Sequence, residues 1–216
     1  MTNSNNEMHE VEGLMLDVRK SYRFLYEYQR RVMDLISFIA GYWGFVYDKG
    51  EPLFCKPPSH KKINPSINWA WDFLLFYNYC FVYAPQDFGI WKGVRLMINI
   101  VSDTGFYDVD TTDRLDVLHF GRSEEAKTQL HLVLKTSGID WEDYKNSHYS
   151  SQHQEHYVKI GEGQSSITIG YKFDLSKLRD EANVHQCLKR FEKLCASHEL
   201  ILKKEDEESA EQEMRT

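Results

Sequence analysis

Only 4 cysteines occur in 216 residues, and no two of them form a Cys-x-x-Cys pair. A zinc ribbon and a thioredoxin-type redox centre are therefore excluded, and Cys55, Cys80, Cys187 and Cys195 read as free thiols of a reducing compartment. No apolar run reaches the length of about 20 residues that a membrane span needs. The closest stretch, residues 67–84, is interrupted by Asn68, Asp72 and Asn78. The first ten residues are polar and hold no apolar signal core. A basic excess is missing too: 26 Lys and Arg stand against 33 Asp and Glu, for a net charge of −7. That balance argues against a broad nucleic-acid surface. Much of the acid is gathered in one tail, where Glu205, Asp206, Glu207, Glu208, Glu211 and Glu213 face Arg215 alone, so the body of the chain is nearly neutral. These absences lead us to expect a soluble, cytoplasmic protein with no membrane segment.

What is present in quantity is aromatic and helical. Leu14, Val18, Leu25, Tyr28, Val32, Leu35 and Ile39 fall on alternating four- and three-residue steps, with Ser21 as the polar interruption. That spacing draws one stripe along a helix over residues 11–47. Met15, Tyr22 and Ile36 widen it. Arg23, Glu27, Arg30, Arg31 and Asp34 are spaced for ion pairs on the other face. No proline breaks the run, and Gly41 and Gly44 supply the stop. Such a stripe either packs on this chain's own sheet or meets the same stripe of a second copy.

Residues 1–10 read as a disordered start, and prolines 52, 57, 58 and 65 with the basic patch His60, Lys61 and Lys62 mark residues 48–64 as a linker opened by an Asp48-Lys49-Gly50 turn. Asn64 and Pro65 form a helix start. An aromatic-rich second helix is expected over 65–84, with its last six residues open to an extended conformation. From Trp91 the period changes to two. Val94, Leu96, Ile98 and Ile100 alternate with Arg95, Met97 and Asn99, which predicts a half-buried strand. Further strands are expected at 115–120, 128–136, 156–160 and 165–173, with His131 and Lys135 facing outward. A helix follows over 180–200, and 203–216 form a disordered acidic tail. Strands grouped between helices favour an α+β fold with an antiparallel sheet of about five strands over 91–173, in a single domain spanning 11–202.

No motif here carries chemistry on its own. Asp103-Thr104-Gly105 has the letters of an aspartic-protease loop, but Ser102 and Phe106 flank it wrongly and the triplet is good turn chemistry. Asp108, Asp110, Asp113 and Asp116 lack the glycine and glutamate of a calcium loop. His148, Glu155, His153 and His156 fit no metal spacing, and Gly161-Glu162-Gly163 joins two strands as a hairpin instead of cradling a phosphate. No catalytic residue, metal or cofactor is expected. Asp72, a carboxylate inside an aromatic run, needs a cation, for which Arg23 or Arg30 is the natural partner.

Three functions follow. The first is a non-enzymatic interaction or adaptor protein, a homo-oligomer joined through Leu14, Val18, Leu25, Tyr28, Val32, Leu35 and Ile39, with a further protein partner available to the sheet and tail. The second is an enzyme or ligand-binding protein whose aromatic pocket is lined by Trp69, Trp71, Asp72 and Tyr77. The third is a nucleic-acid regulator using Lys20, Arg23, Arg30 and Arg31 among the tyrosines of the long helix, which the acidity of the chain disfavours.

Overall fold

The structure is a computed structural model that describes residues 2–52, 76–109, 117–136, 154–161 and 166–202, with side chains described from Val11 onward. The chain forms two compact units, one ending at Phe38 and the other beginning at Ile39. The first is the greater part of helix α1, Thr2–Tyr42. It begins well ahead of the Val11 at which the periodicity sets in.

The helix ends where glycine allows it. Gly44 has φ +67°, and the Phe45 N–H donates back to the Ala40 carbonyl at 2.9 Å, the six-to-one bond of a Schellman stop. Gly41 is an ordinary helical residue. The surface ion pairs use three-residue spacing: Lys20 with Asp17 at 3.2 Å, and Arg30 with Glu27 at 2.9 Å.

In the second unit a seven-stranded antiparallel sheet is built from β1 Tyr47–Pro52, β2 Asn78–Tyr83, β3 Gln86–Phe88, β4 Trp91–Val101, β5 Gln129–Lys135, β6 His156–Ile160 and β7 Ile167–Asp174. The strand order is β1-β2-β4-β5-β7-β6, with β3 on the first half of β4. The α+β class is as expected; the expected sheet of about five strands is not confirmed, since seven strands are found among the described residues. Two come from segments read otherwise. Asp48-Lys49-Gly50, taken for a turn, lies inside β1, whose register shifts between Tyr47 and Lys49 to absorb the irregular sequence. Asn78–Tyr83, the end of the expected second helix, is β2, because Tyr, Phe and Val there find a strand partner on each side. Conversely, the expected strand at 115–120 is a short 3-10 turn, Val117–His119, among its described residues. Residues 53–75, including most of the expected aromatic helix, and the tail from 203 lie outside the described residues.

The sheet is covered on both faces. One face carries Leu96, Ile98, Ile100, Leu130, Leu132, Leu134 and Ile169, all buried. The neighbouring positions Met97, Asn99, Val101, His131 and Val133 point the other way and are equally buried. The expectation of a half-buried β4, and of an outward His131, is therefore corrected. Helix α2, Glu181–Ala196, is capped by Asp180, which accepts from the Asn183 N–H at 2.9 Å. It buries Val184, Cys187, Leu188, Phe191 and Cys195, the face that its spacing marks.

The end of α1 is tied to α2. The Trp43 ring lies 5.7 Å from Phe191, and its Nε1–H donates to Glu192 Oε1 at 3.0 Å. Trp43→Phe keeps one ring against Phe191 but loses that bond and part of the buried indole, so it should lower unfolding free energy by about 1–3 kcal/mol in chemical denaturation. An unchanged midpoint would show that the bond contributes nothing.

Candidate functional site

The seven stripe residues of α1 differ sharply in exposure. Leu14 is 60% exposed and Val18 39%; Leu25, Tyr28 and Leu35 are intermediate, while Val32 and Ile39 are buried. Val11, Met15 and Tyr22 extend the exposed part along the same side, at spacings of three and four that keep one helical face. Large contiguous apolar patches on protein surfaces are a general feature of interaction sites. Among the described residues no helix is long and apolar enough to cross a membrane.

Of the expected aromatic pocket, Trp69, Trp71 and Asp72 lie outside the described residues. Tyr77 is described and braces a turn, its hydroxyl donating to Asp103 Oδ2 at 3.0 Å. Burial, with the Asp103 carboxylate beside it, raises the Tyr77 phenol well above its ordinary range. Asp103 Oδ1 accepts the Gly105 N–H at 2.8 Å, so Asp103-Thr104-Gly105 is the capped start of a 3-10 turn, Thr104–Asp108. His156 opens β6 and stacks on Tyr171, while His148 and His153 lie outside the described residues. Among the described residues no group of His, Cys, Asp and Glu could hold a metal ion.

The sheet register assembles a site that the linear sequence hides. Glu51 pairs with Cys80, Cys80 with Asn99, Asn99 with His131, and His131 with Lys172. Directly paired residues share a face, so five consecutive strands carry one transverse row of chemistry-bearing side chains. Asn78 stands one step along, opposite Val101, on that same face. Cys80, Asn78, Asn99, His131 and Lys172 are all buried. Among the described residues the carboxamides of Asn78 and Asn99 meet no hydrogen-bond partner through either oxygen or nitrogen.

The row is ordered at its outer end. His131 Nε2 lies 3.0 Å from Gln129 Oε1, and Gln129 Nε2 donates to Asp174 Oδ1 at 3.4 Å. An ionised carboxylate only accepts, so the Gln129 amide must turn its NH₂ to Asp174 and its oxygen to His131. That orientation places a proton on His131 Nε2. Asp174 is held in turn by Lys127 at 3.6 Å and Lys177 at 3.8 Å. Beside Gln129, Lys172 and Asp174 a cleft of about 480 Å³ opens, walled also by Thr104, Tyr107 and Lys127.

Burial pushes the Lys172 ammonium down to about 8 from its ordinary 10.5. Across the sheet it faces His131 of β5, and its own backbone N–H donates to the Glu155 carbonyl just before β6. Tyr157 of β6 packs over Gly170, where any side chain would collide with its ring; burial keeps that phenol protonated well above its usual range. The unfolded chain thus holds the Lys172 proton more tightly than the folded one, and stability gains with rising pH once the folded group begins to lose it. Between pH about 8 and about 9.5, the melting temperature of the wild type should rise relative to that of Lys172→Met. Parallel curves for the two proteins would contradict the assignment.

Neither Asn99 nor Lys172 was singled out by sequence. The available signal was the apolar company they keep: Met97 and Val101 flank Asn99 on its face, and Val133 lies next to His131. A family model described as PM0109 matches residues 8–203. No curated protein and no solved structure matches the chain.

Proposed function

The chain belongs to the PM0109 family, and from its exposed helix face we propose that it is an interaction protein, not an enzyme, that self-associates through α1. The observation that carries this reading is the exposed strip Val11, Leu14, Val18 and Tyr22. An isolated helix gains most of its stability from burying an apolar face, so a strip of this length calls for cover. The occupant favoured by the pattern is a second copy. In heptad terms Val11, Val18 and Leu25 take one core position, and Leu14, Ser21 and Tyr28 the other. β-branched residues at the first, here Val11 and Val18, and leucine at the second, here Leu14, suit a two-stranded parallel pair. Ser21 is the polar position of that seam.

Ser21→Cys tests the pairing. In a parallel, in-register dimer the two copies of residue 21 face one another, within the Cα separation of roughly 4.4–6.8 Å that a disulfide accepts. Mild oxidation should give a covalent dimer that thiol reverses. Lys20→Cys, one residue round the helix, should stay monomeric on a denaturing gel. Equal crosslinking of the two variants, or none of either, would count against the parallel seam.

A further inference from the structure

A smaller cavity shares Lys177 with the cleft and lies where the chain passes from β7 into α2. Its volume is about 280 Å³. One wall is the 3-10 turn Leu175–Lys177 and the residues just after it, which contribute Ser176, Lys177 and Arg179. The other is a single face of α2, where Asn183, Gln186, Cys187 and Arg190 follow one another at three- and four-residue steps. Lys177, Arg179 and Arg190 are cations, and among the described residues no carboxylate lines the cavity. Such a cluster stands out in a chain of net charge −7.

The acids nearby are committed elsewhere. Asp180 caps α2, accepting the Asn183 backbone N–H at 2.9 Å and its Nδ2–H at 2.6 Å, with Arg179 Nε 3.4 Å away. Asp174 is shared between Gln129, Lys127 and Lys177, the last at 3.8 Å. Glu155 accepts the Tyr171 hydroxyl at 3.2 Å. Among the described residues Arg190 meets no carboxylate. The cations also converge. Burial pushes the Cys187 thiol above its ordinary range, and the charges of Arg190 and Lys177 act on it in the opposite sense. Both side chains therefore reach towards one neutral floor, and their mutual repulsion is relieved by an anion. Guanidinium groups match phosphate oxygens with parallel N–H bonds. The volume falls just under the range of about 300–1,000 Å³ usual for drug-sized ligands, which suits a phosphate on a body of a few carbons. With Asp180 already on the first turn of α2, side chains and not the helix end supply the recognition.

We propose that this cavity binds a small phosphate monoester. Arg190 and Arg179 clamp the phosphate, Lys177 adds a point charge, and the Ser176 hydroxyl and Gln186 carboxamide serve as neutral donors. The site lies wholly within the second unit and is independent of association through α1.

The test titrates the full chain with glycerol 3-phosphate, read by calorimetry and thermal melting, against glycerol with potassium chloride at matched ionic strength. Saturable binding of the ester is expected, with inorganic phosphate competing and glycerol inert. Arg190→Gln should weaken binding about 10- to 100-fold, as for a lost hydrogen bond to a charged group. Lys177→Gln should weaken it by about tenfold. Both residues are exposed, so the two variants should melt as the wild type does without ligand. Lys189→Gln removes the same charge from α2 outside the cavity and should bind as the wild type does. No binding at millimolar ester would overturn the proposal, and so would a failure of inorganic phosphate to compete. Full affinity in Arg190→Gln, or an equal loss in Arg190→Gln and Lys189→Gln, would overturn it as well.

Discussion

A chain carrying both Leu14→Glu and Val18→Glu is expected to be monomeric at concentrations where the wild type is paired. Both residues are exposed in the single chain, so the change has little to disturb in the fold itself. In a symmetric pair each substitution acts twice, which removes four apolar side chains from one seam. Burying a valine or leucine is worth about 1.5–3 kcal/mol, so the loss amounts to roughly 6–12 kcal/mol. A micromolar dimer holds only about 8 kcal/mol in total. Four carboxylates placed along the seam add repulsion, which high salt relieves in part. Sedimentation velocity with circular dichroism separates association from folding: the signal of the sheet-bearing unit should persist while the mass halves. A double variant that still pairs would place the interface elsewhere.

Asn99→Leu should melt at a higher temperature than the wild type. The Asn99 side chain is fully inaccessible, and neither its oxygen nor its nitrogen meets a partner among the described residues. Keeping such a group in the core costs about 1–3 kcal/mol, and leucine of similar shape removes that cost. A protein of this size gains about 2–4 °C for each kcal/mol, so the rise should be about 2–12 °C, less any crowding by the branched terminus. A lower melting temperature would mean that the carboxamide holds the fold together.

The helices were legible in the sequence and the interior row was not, for a physical reason. A helical stripe such as Leu14 to Ile39 is written in local spacing, and the Gly44 stop and the Asp180 cap are local signals too. The strands β4 and β5 were legible from their alternation, and β6 and β7 from the glycine turn between them. Alternation, however, tells only that the two faces differ. It does not tell that both are buried, so Asn99 and His131 were read as solvent-facing. Their meeting with Cys80 and Lys172 depends on register between strands separated by tens of residues, which no single stretch encodes. β1 was hidden by the turn-like Asp48-Lys49-Gly50, whose irregularity the sheet absorbs as a register shift. β2 was hidden by aromatics that serve helix and strand alike.

Self-association through α1 is tested most directly by the mass of the full chain in solution, read by light scattering across a dilution series. A mass of twice 25.6 kDa that falls towards 25.6 kDa on dilution, and stays at the lower value in the Leu14→Glu, Val18→Glu protein, is the predicted result. A wild-type mass of 25.6 kDa at every concentration would contradict it.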